Sequence, residues 1–191
     1  MKKLAAILVF GLISNLACAE VTPYLHLQGG YHATHIKAEE ETLLRDSGAI
    51  YGIGVGGKLD GKYRLEINWL GRDPMHDELP TTLGVVKLTY KADMFMLNAY
   101  RDFLKEGGTI LYLGAGVGLT KWKSSTTLLS YEVNENGREF TGALHAGLIG
   151  EMSKNISVDF GVSWYHVFVD EAKLSDIDNF IPHMGFHIYL K

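Results

Sequence analysis

The chain has 191 residues, of which 47% are hydrophobic and 21% are charged, and its formal net charge is −4. This length suits one domain with a sizeable core, and the slight acidic excess argues against nucleic acid as a partner. Glycine is abundant, with 22 residues against 4 prolines. Because these glycines follow no three-residue period, the composition excludes a collagen-like chain and favours a β-protein with close backbone contacts.

The first residues predict a secretory signal peptide. Positive charge at Met1-Lys2-Lys3 is followed by an uncharged run from Leu4 to Ile13 and by small residues at Ala17-Cys18-Ala19. This order of segments is typical of signal peptides. A membrane anchor would need roughly 18 apolar residues, but Ser14 interrupts this run.

We therefore expect a signal peptide over residues 1–19 and one domain over residues 20–191. Lipoprotein processing at Cys18 is a weaker alternative, because Asn15 stands where the lipid-attachment pattern usually has leucine. If cleavage follows Ala19, the domain keeps no cysteine. Disulfides, thiolate metal sites and cysteine nucleophiles are then excluded together.

The remaining sequence alternates with a period of two, which is typical of strands that have two different faces. Eight strands are predicted, at about Tyr24 to Ala33, Ile50 to Leu59, Tyr63 to Arg72, Leu83 to Phe103, Ile110 to Lys121, Phe140 to Met152, Val158 to Phe168 and Phe180 to Lys191. The third is the clearest, with Leu65, Ile67 and Trp69 on one face. Arg64, Glu66 and Asn68 share its other face.

The predicted connections alternate between short and long. Short turns are expected near Asp60-Gly61, Glu106-Gly107 and Lys154-Asn155, and long loops over Lys37 to Gly48, Asp73 to Thr81, Ser124 to Glu139 and Asp170 to Asn179. This alternation is the layout of a bacterial outer-membrane barrel, with short periplasmic turns and long extracellular loops.

A soluble barrel also alternates, but it turns its apolar face inward. Here the polar faces carry small residues and scattered charges instead of a dense charged covering. The apolar faces carry aromatic residues towards the strand ends, as membrane-interface girdles do; they include Tyr51, Trp69, Phe103, Trp164 and Phe168. We therefore predict an all-β fold, an eight-stranded antiparallel up-and-down transmembrane β-barrel.

Several stretches resemble the opacity-type and outer-membrane-protein-A-type β-barrel family. They are Tyr63-Arg64-Leu65-Glu66, Asn98 to Phe103, Leu113 to Gly118, Ala146-Gly147 and Val158-Asp159-Phe160-Gly161, in that order along the chain. The resemblance covers nearly all of the predicted domain. It implies a location in the bacterial outer membrane, with outer-membrane lipids, lipopolysaccharide and the outer-membrane assembly machinery as partners.

An eight-stranded barrel is just wide enough for side chains to fill its interior, so an open solute channel is not expected. The inward ionisable residues should pair with one another, because an unpaired buried charge costs several kcal/mol. We predict a lumen network centred on Arg64 and Glu66. Its members are Lys58, Arg64, Glu66, Arg72, Glu151 and Asp159. A narrow proton or ion path is the alternative interpretation.

Four histidines fall on inward faces of the first and last strands, which are neighbours in a closed barrel. These are His26, His32, His183 and His187. A transition-metal site is one interpretation. Separate hydrogen-bonded histidines are the preferred one, because His26 and His32 lie about 20 Å apart along a strand. We expect neither a metal nor a cofactor.

A lipid A-modifying enzyme of the outer membrane is a further alternative, and Ser163 with His166 is the nearest candidate pair. Residues three apart in a strand point to opposite faces, so the pair is not expected to be catalytic. We predict a protein that is not an enzyme. A secreted lipocalin-like carrier, soluble without detergent, is the remaining alternative.

The long loops are the predicted functional surface, because rigid scaffolds commonly carry function on loops. They are acidic overall, which suggests solvation or compatibility with divalent cations that bridge lipopolysaccharide. The third loop has its own hairpin signal at Asn136-Gly137, which predicts an extension of the barrel above the membrane. The expected role is that of a structural or surface-interaction protein of a Gram-negative envelope, with no extracellular partner identified by the sequence.

Overall fold

The computed structural model describes residues 20–38, 41–81, 84–128, 131–168 and 177–190. The predicted signal peptide therefore lies outside the described residues. Nine strands are present in these ranges: β1 (Val21–Ala38), β2 (Glu41–Leu59), β3 (Tyr63–Arg72), β4 (Met75–Thr81), β5 (Gly84–Glu106), β6 (Thr109–Leu128), β7 (Tyr131–Glu151), β8 (Ile156–Phe168) and β9 (Ile177–Tyr189). No helix within these ranges is long and apolar enough to cross a membrane.

The strands form one closed antiparallel barrel. Their order is β3-β2-β1-β9-β8-β7-β6-β5-β4, and β3 also pairs with β5, which closes the sheet. β3 and β4 pair with successive parts of β5 and together fill one position, so the barrel has eight strand positions. The interruption falls at Asp73-Pro74, where proline lacks the N–H that a continuous ladder would use. The predicted eight-stranded fold is confirmed.

The strands extend further at one end than the sequence pattern predicts. Asp73 to Thr81 and Ser124 to Glu139 were expected as loops, but β4 and the paired ends of β6 and β7 occupy most of them. β1 and β2 likewise pair up to Ala38 and Glu41. The expected extension of the barrel by a hairpin in the third loop is observed, but these segments are strands and not the loops predicted. Antiparallel partners satisfy each other's backbone groups without any apolar face, so no period-two hydrophobic signal marks them.

Asn136-Gly137 does not form a turn. The two residues lie inside β7, opposite Lys123 and Trp122 of β6, and the pairing continues to Leu128 and Tyr131. Gly137 packs under the Trp122 ring, where an added Cβ would lie 2.5 Å from a ring carbon. The predicted hairpin signal is therefore a packing requirement inside the strand. Of the last predicted loop, Ile177 to Asn179 begin β9, and residues 170–176 lie outside the described ranges.

The opposite end of the barrel has short turns. Asp60 and Gly61 have φ values of 48° and 67°, and the Lys62 N–H donates to the Leu59 carbonyl at 3.0 Å. Two positive φ values identify the hairpin turn that fits twisted strands. The second turn uses Gly107 and Gly108, with φ values of 56° and 85°, one residue beyond the predicted position. We call this the turn end and the opposite one the hairpin end.

The apolar faces point outward along the barrel. Ile67 is 62% exposed and Leu144 55%, whereas Arg64, on the inward face of β3, is 1% exposed. This is the reverse of a soluble barrel, whose apolar side chains fill the interior. The sequence prediction that the apolar faces form the outer wall is confirmed.

Candidate functional site in the barrel lumen

A group of buried polar and aromatic side chains fills the lumen towards the turn end. We call this group the polar layer, and its members are Tyr24, His26, Arg64, Glu66, Tyr100, Asp102, Tyr112, Asp159, His183 and His187. All project from inward-facing positions of β1, β3, β5, β6, β8 and β9, so the layer depends on barrel closure.

Arg64 is held by one carboxylate and two aromatic rings. Its Nε donates to Asp102 Oδ1 at 3.1 Å, and its guanidinium carbon lies 4.6 Å and 4.8 Å from the ring centres of Tyr100 and Tyr112. Lys58 Nζ lies 3.5 Å from the other oxygen of Asp102. Asp102 thus has two cationic neighbours and is the principal carboxylate partner of Arg64.

Glu66 has a different set of partners. Its carboxylate accepts from the Tyr24 hydroxyl at 3.1 Å and from the Asn68 amide at 3.1 Å, and His26 Nδ1 lies 3.1 Å from Oε2. The sequence named Arg64 and Glu66 as the centre of one network. The structure brings both into the polar layer but gives each its own partners.

Asp159 anchors the other side of the polar layer. It accepts from the Tyr112 hydroxyl at 2.9 Å, and its Oδ2 lies 3.8 Å from His26 Nε2 and 3.9 Å from His183 Nε2. Glycine makes room for this contact. An added Cβ at Gly161 would overlap the Tyr112 hydroxyl.

The other members of the predicted network lie elsewhere. Arg72 is near the hairpin end, where its guanidinium sits 4.8 Å from the Tyr90 ring centre, and His32 lines the same part of the lumen. Burial raises the pKa of the Tyr90 phenol above its ordinary value. Glu151 is exposed at the end of β7 and is not brought into the polar layer.

Two of the four predicted histidines meet. His26 and His187 face each other across β1 and β9, and their rings stack with centres 4.2 Å apart and planes 13° from parallel. Each can offer one nitrogen within 4.8 Å of the other and of a Glu66 oxygen, a grouping that could hold a metal ion.

The orientation of these rings opposes metal binding. A metal bound to an imidazole nitrogen lies in the ring plane, and two nearly parallel stacked planes share no such position. Arg64 Nη1 also lies 3.3 Å from His187 Nε2, so a cation here would face a buried guanidinium. The geometry suits hydrogen-bonded histidines better than metal ligands.

A buried serine and histidine form a contact that the sequence reading missed. His145 Nδ1 lies 2.7 Å from Ser163 Oγ, and its Nε2 lies 3.2 Å from Asn98 Oδ1. Such a chain of groups resembles a nucleophile, a base and an orienting amide. Ser163 is only 2% exposed inside the filled lumen. Spacing could not reveal the pair, because the two residues belong to different strands, β7 and β8.

The predicted candidate pair Ser163 and His166 is split between the two faces. Ser163 points into the lumen, whereas His166 contacts Asp178 on the outer wall through Nδ1 at 2.9 Å. Trp164 Nε1 donates to the same Asp178 oxygen at 3.1 Å. The expected separation of Ser163 and His166 is confirmed.

Closer to the hairpin end the lumen is filled by hydrocarbon. A cluster of buried side chains, which we call the apolar layer, consists of Ile50, Leu70, Met94, Met96, Ala143, Tyr165 and Ile181. The sequence places Ile50 and Leu70 on inward faces, but we had not expected the inward face to build an apolar cluster. The signal available in the sequence was that Ile50 and Leu70 are large apolar residues on faces that otherwise carry small and polar ones.

An eight-stranded barrel with an apolar outer wall, a filled lumen, short turns at one end and long hairpins at the other has the architecture of bacterial outer-membrane β-barrels. In this class the short turns face the periplasm. On that precedent we expect the turn end to be the periplasmic end of this barrel and the hairpin end to be the extracellular end.

Comparison with solved structures agrees with this class. Neisserial surface protein A is similar over 87% of this chain and 97% of its own, with 13% identity and a TM-score of 0.62. Ail, the attachment invasion locus protein of Yersinia pestis, was solved with the heparin analogue sucrose octasulfate. It is similar over 87% of this chain and 99% of its own, with 10% identity and a TM-score of 0.58. The N-terminal β-barrel domain of Pseudomonas aeruginosa OprF is similar over 90% of this chain and 100% of its own, with 12% identity and a TM-score of 0.54.

At these identities the likeness establishes the fold. No family model and no curated protein sequence matches the chain. The fold expected from the opacity-type and outer-membrane-protein-A-type resemblance is confirmed.

Proposed function

We propose that this chain is a non-enzymatic outer-membrane β-barrel with a closed lumen, which serves as a structural or surface-interaction protein through its extracellular hairpins. The filled lumen is the observation that supports this proposal. The apolar layer stands between the extracellular mouth and the polar layer, and a solute would have to displace both. The outer-membrane assembly machinery is the proposed route of insertion, and outer-membrane lipids are the proposed surroundings.

Location and folding are tested by fractionation combined with heat-modifiability on a gel. We expect the protein in the outer-membrane fraction, with a mobility that shifts on boiling, because closed barrels resist detergent until heated. A band missing from the outer membrane, or a mobility unchanged by boiling, would contradict the proposal.

Closure of the lumen is tested by planar-bilayer recordings. The expected result is no stable conductance from the unmodified barrel. A variant that truncates the apolar layer, Leu70→Gly with Met96→Gly, should also give no stable conductance, because the polar layer still closes the lumen. A nanosiemens conductance from the unmodified barrel would overturn the closed-lumen proposal.

A lipid-modifying enzyme is the second candidate, and the contact between Ser163 and His145 is the observation in its favour. The burial of Ser163 opposes it, because an acyl chain would have to enter the lumen. Incubation of the refolded barrel with lipid A, followed by mass spectrometry, separates the two. Loss of an acyl chain that disappears in Ser163→Ala would establish the enzyme.

A further inference from the structure

The β5–β6 hairpin projects beyond the first residue of β3 at the turn end and leaves a step in the rim of the barrel. β3 begins at Tyr63, which is paired with Arg101, whereas β5 continues to Glu106, opposite Thr109 of β6. A cavity of about 480 Å³ lies in this step. We call it the rim notch, and its lining includes Lys58, Lys62, Arg101, Asp102, Phe103 and Ile110.

Three cations line the rim notch, and they meet around one carboxylate. Lys58 Nζ lies 3.5 Å from Asp102 Oδ2, and the Lys62 carbonyl accepts from the Asp102 N–H at 2.8 Å. Arg101 directly precedes Asp102 in β5. Asp60 belongs to the same turn as Lys62 but is not among the residues that line the notch. The notch therefore gathers positive charge, although the net charge of the whole chain is −4.

The carboxylate in the lining already has cationic partners. Asp102 accepts from Arg64 Nε at 3.1 Å and also faces Lys58, so two cations balance its single charge. The ion pairs found in the described part of the chain include neither Lys62 nor Arg101. A cleft that is lined by one sign of charge raises the local concentration of ions of the opposite sign. The rim notch should therefore attract an anion.

Arg101 is held in a way that suits a carboxylate. Its guanidinium carbon lies 5.0 Å from the ring centre of Phe103 and 5.8 Å from that of Tyr63. Cation–π contacts restrict the guanidinium and leave its planar fork of N–H donors for a hydrogen-bonding partner. A carboxylate can accept two parallel hydrogen bonds from such a fork. Lys62, in the neighbouring turn, adds a second positive charge.

The apolar part of the lining indicates what the anion carries. Ile110 is 5% exposed and packs with Tyr112 in the lumen, whereas Phe103 is 48% exposed on the outer wall. A hydrated inorganic anion gains nothing from these side chains. An aliphatic group beside the carboxylate would bury apolar surface against them. The volume of the notch lies within the range of small-molecule sites.

We propose that the rim notch binds a small carboxylate that carries an aliphatic group, and that Arg101 and Lys62 are its charged contacts. Two sources have this chemistry, namely the C-terminal residue of a peptide and a free branched-chain organic acid. On the orientation expected above, the notch opens to the periplasm, so the ligand is a periplasmic solute. This site differs from the proposed hairpin function in both position and ligand, and it does not require an open lumen.

The test removes the two charged contacts and compares the result with a matched loss of charge at the opposite end. Lys62→Gln with Arg101→Gln alters the notch, and Lys121→Gln with Arg138→Gln is the control, because all four side chains are exposed. Each barrel is refolded in an uncharged detergent, and its heat-modifiable band is checked. Binding is followed through the chemical shifts of backbone amides in NMR spectra.

Four probes separate the possible ligands. N-acetyl-leucine carries the carboxylate, the aliphatic group and a peptide group, and N-acetyl-leucinamide lacks only the charge. Isovalerate keeps the carboxylate and the aliphatic group but lacks the peptide group. Dihexanoyl phosphatidylglycerol represents an anionic lipid.

We expect N-acetyl-leucine to cause saturable shifts in the β2–β3 turn and near Arg101, and N-acetyl-leucinamide to cause none. An exposed ion pair contributes up to about fivefold to affinity, so the notch variant should bind N-acetyl-leucine about tenfold more weakly. The control variant should bind it as the unmodified barrel does. Tighter binding of N-acetyl-leucine than of isovalerate would identify a peptide carboxylate as the ligand, and equal binding would identify a free organic acid.

Three results would overturn the site. They are equal losses in the two variants, equal shifts from N-acetyl-leucinamide, and tighter binding of phosphatidylglycerol than of either carboxylate. The measurement uses the refolded barrel and does not depend on its cellular location. Failure of the fractionation test would therefore overturn the proposed function and leave this result standing.

Discussion

The two layers of the lumen use different physical means to fill the same barrel. The polar layer holds Arg64, Glu66 and Asp159 in place through directed contacts, each with an identified partner. The apolar layer fills its space with side chains such as Leu70 and Met96, which need no partner geometry. A buried charge loses far more when its partner is removed than it contributes when paired, whereas an apolar side chain loses in proportion to the cavity it leaves. The two layers should therefore respond differently to substitution.

The largest loss of stability is expected from Arg64→Met in the polar layer. This change leaves Asp102 buried with Lys58 as its remaining cation, and breaking a buried ion pair costs about 3–5 kcal/mol. Denaturant unfolding of the refolded barrel, followed by tryptophan fluorescence, measures the loss. Arg101→Met, on the outer wall, is the control and should change the unfolding free energy by less than about 0.5 kcal/mol. A loss below 1 kcal/mol for Arg64→Met would show that Arg64 does not hold the layer together.

Leu70→Ala tests the apolar layer. We expect a loss of about 3 kcal/mol, because the removed methyl groups leave a cavity inside a packed lumen. Leu97→Ala is the matched control on the lipid-facing wall, where Leu97 is 52% exposed and detergent or lipid fills the space. Equal losses for the two variants, in the same unfolding assay, would mean that the apolar layer is loosely packed.

Tyr112→Phe removes a single directed contact from the polar layer. The aromatic ring under Arg64 remains, but Asp159 loses the hydroxyl that donates to it at 2.9 Å. A hydrogen bond to a charged group contributes about 1.5–3 kcal/mol, so a loss of about 2 kcal/mol is expected. Tyr63→Phe, exposed on the outer wall, provides the baseline. No difference between the two tyrosine variants would indicate that Asp159 finds another donor.

The smallest effect is expected from Ser163→Ala, which lies between the layers. It removes the hydroxyl that contacts His145, and a neutral hydrogen bond contributes about 1 kcal/mol. The Ser163→Ala barrel should keep its heat-modifiable band. Lipid A incubated with this variant, or with the unmodified barrel, should keep its mass. A lipid A mass change that depends on Ser163 would assign the contact to catalysis instead of packing.

The sequence predicted the fold because one physical constraint acts along its whole length. Every outward position within the membrane must be apolar, so Leu65, Ile67 and Trp69 on β3 have counterparts on each other strand. Beyond the membrane this constraint ends. The ends of β6 and β7 pair up to Leu128 through largely polar residues, so their sequence shows no alternation of apolar and polar positions.

The partners within the lumen could not be predicted for a different reason. The sequence shows which residues point inward but not how far each strand is shifted against strands that are distant in the chain. Arg64 therefore meets Asp102 across β3 and β5, and Glu66 meets Tyr24 and His26 of β1. His26 and His187 were correctly expected to be near each other, because the first and last strands of a closed barrel are neighbours.

The interruption of β3 and β4 at Asp73-Pro74 divides the wall into two mechanical parts. Below it β2 pairs with β3, up to Ile50 and Arg72, and the ring of hydrogen bonds is complete. Above it, among the described residues, β2 pairs with β1 alone and β4 with β5 alone. Among the described residues, the extension at the hairpin end is therefore not closed between β2 and β4. Amide protons along β2 and β4 above the interruption should exchange with solvent sooner than those of the ring below, because these segments have one strand partner in place of two.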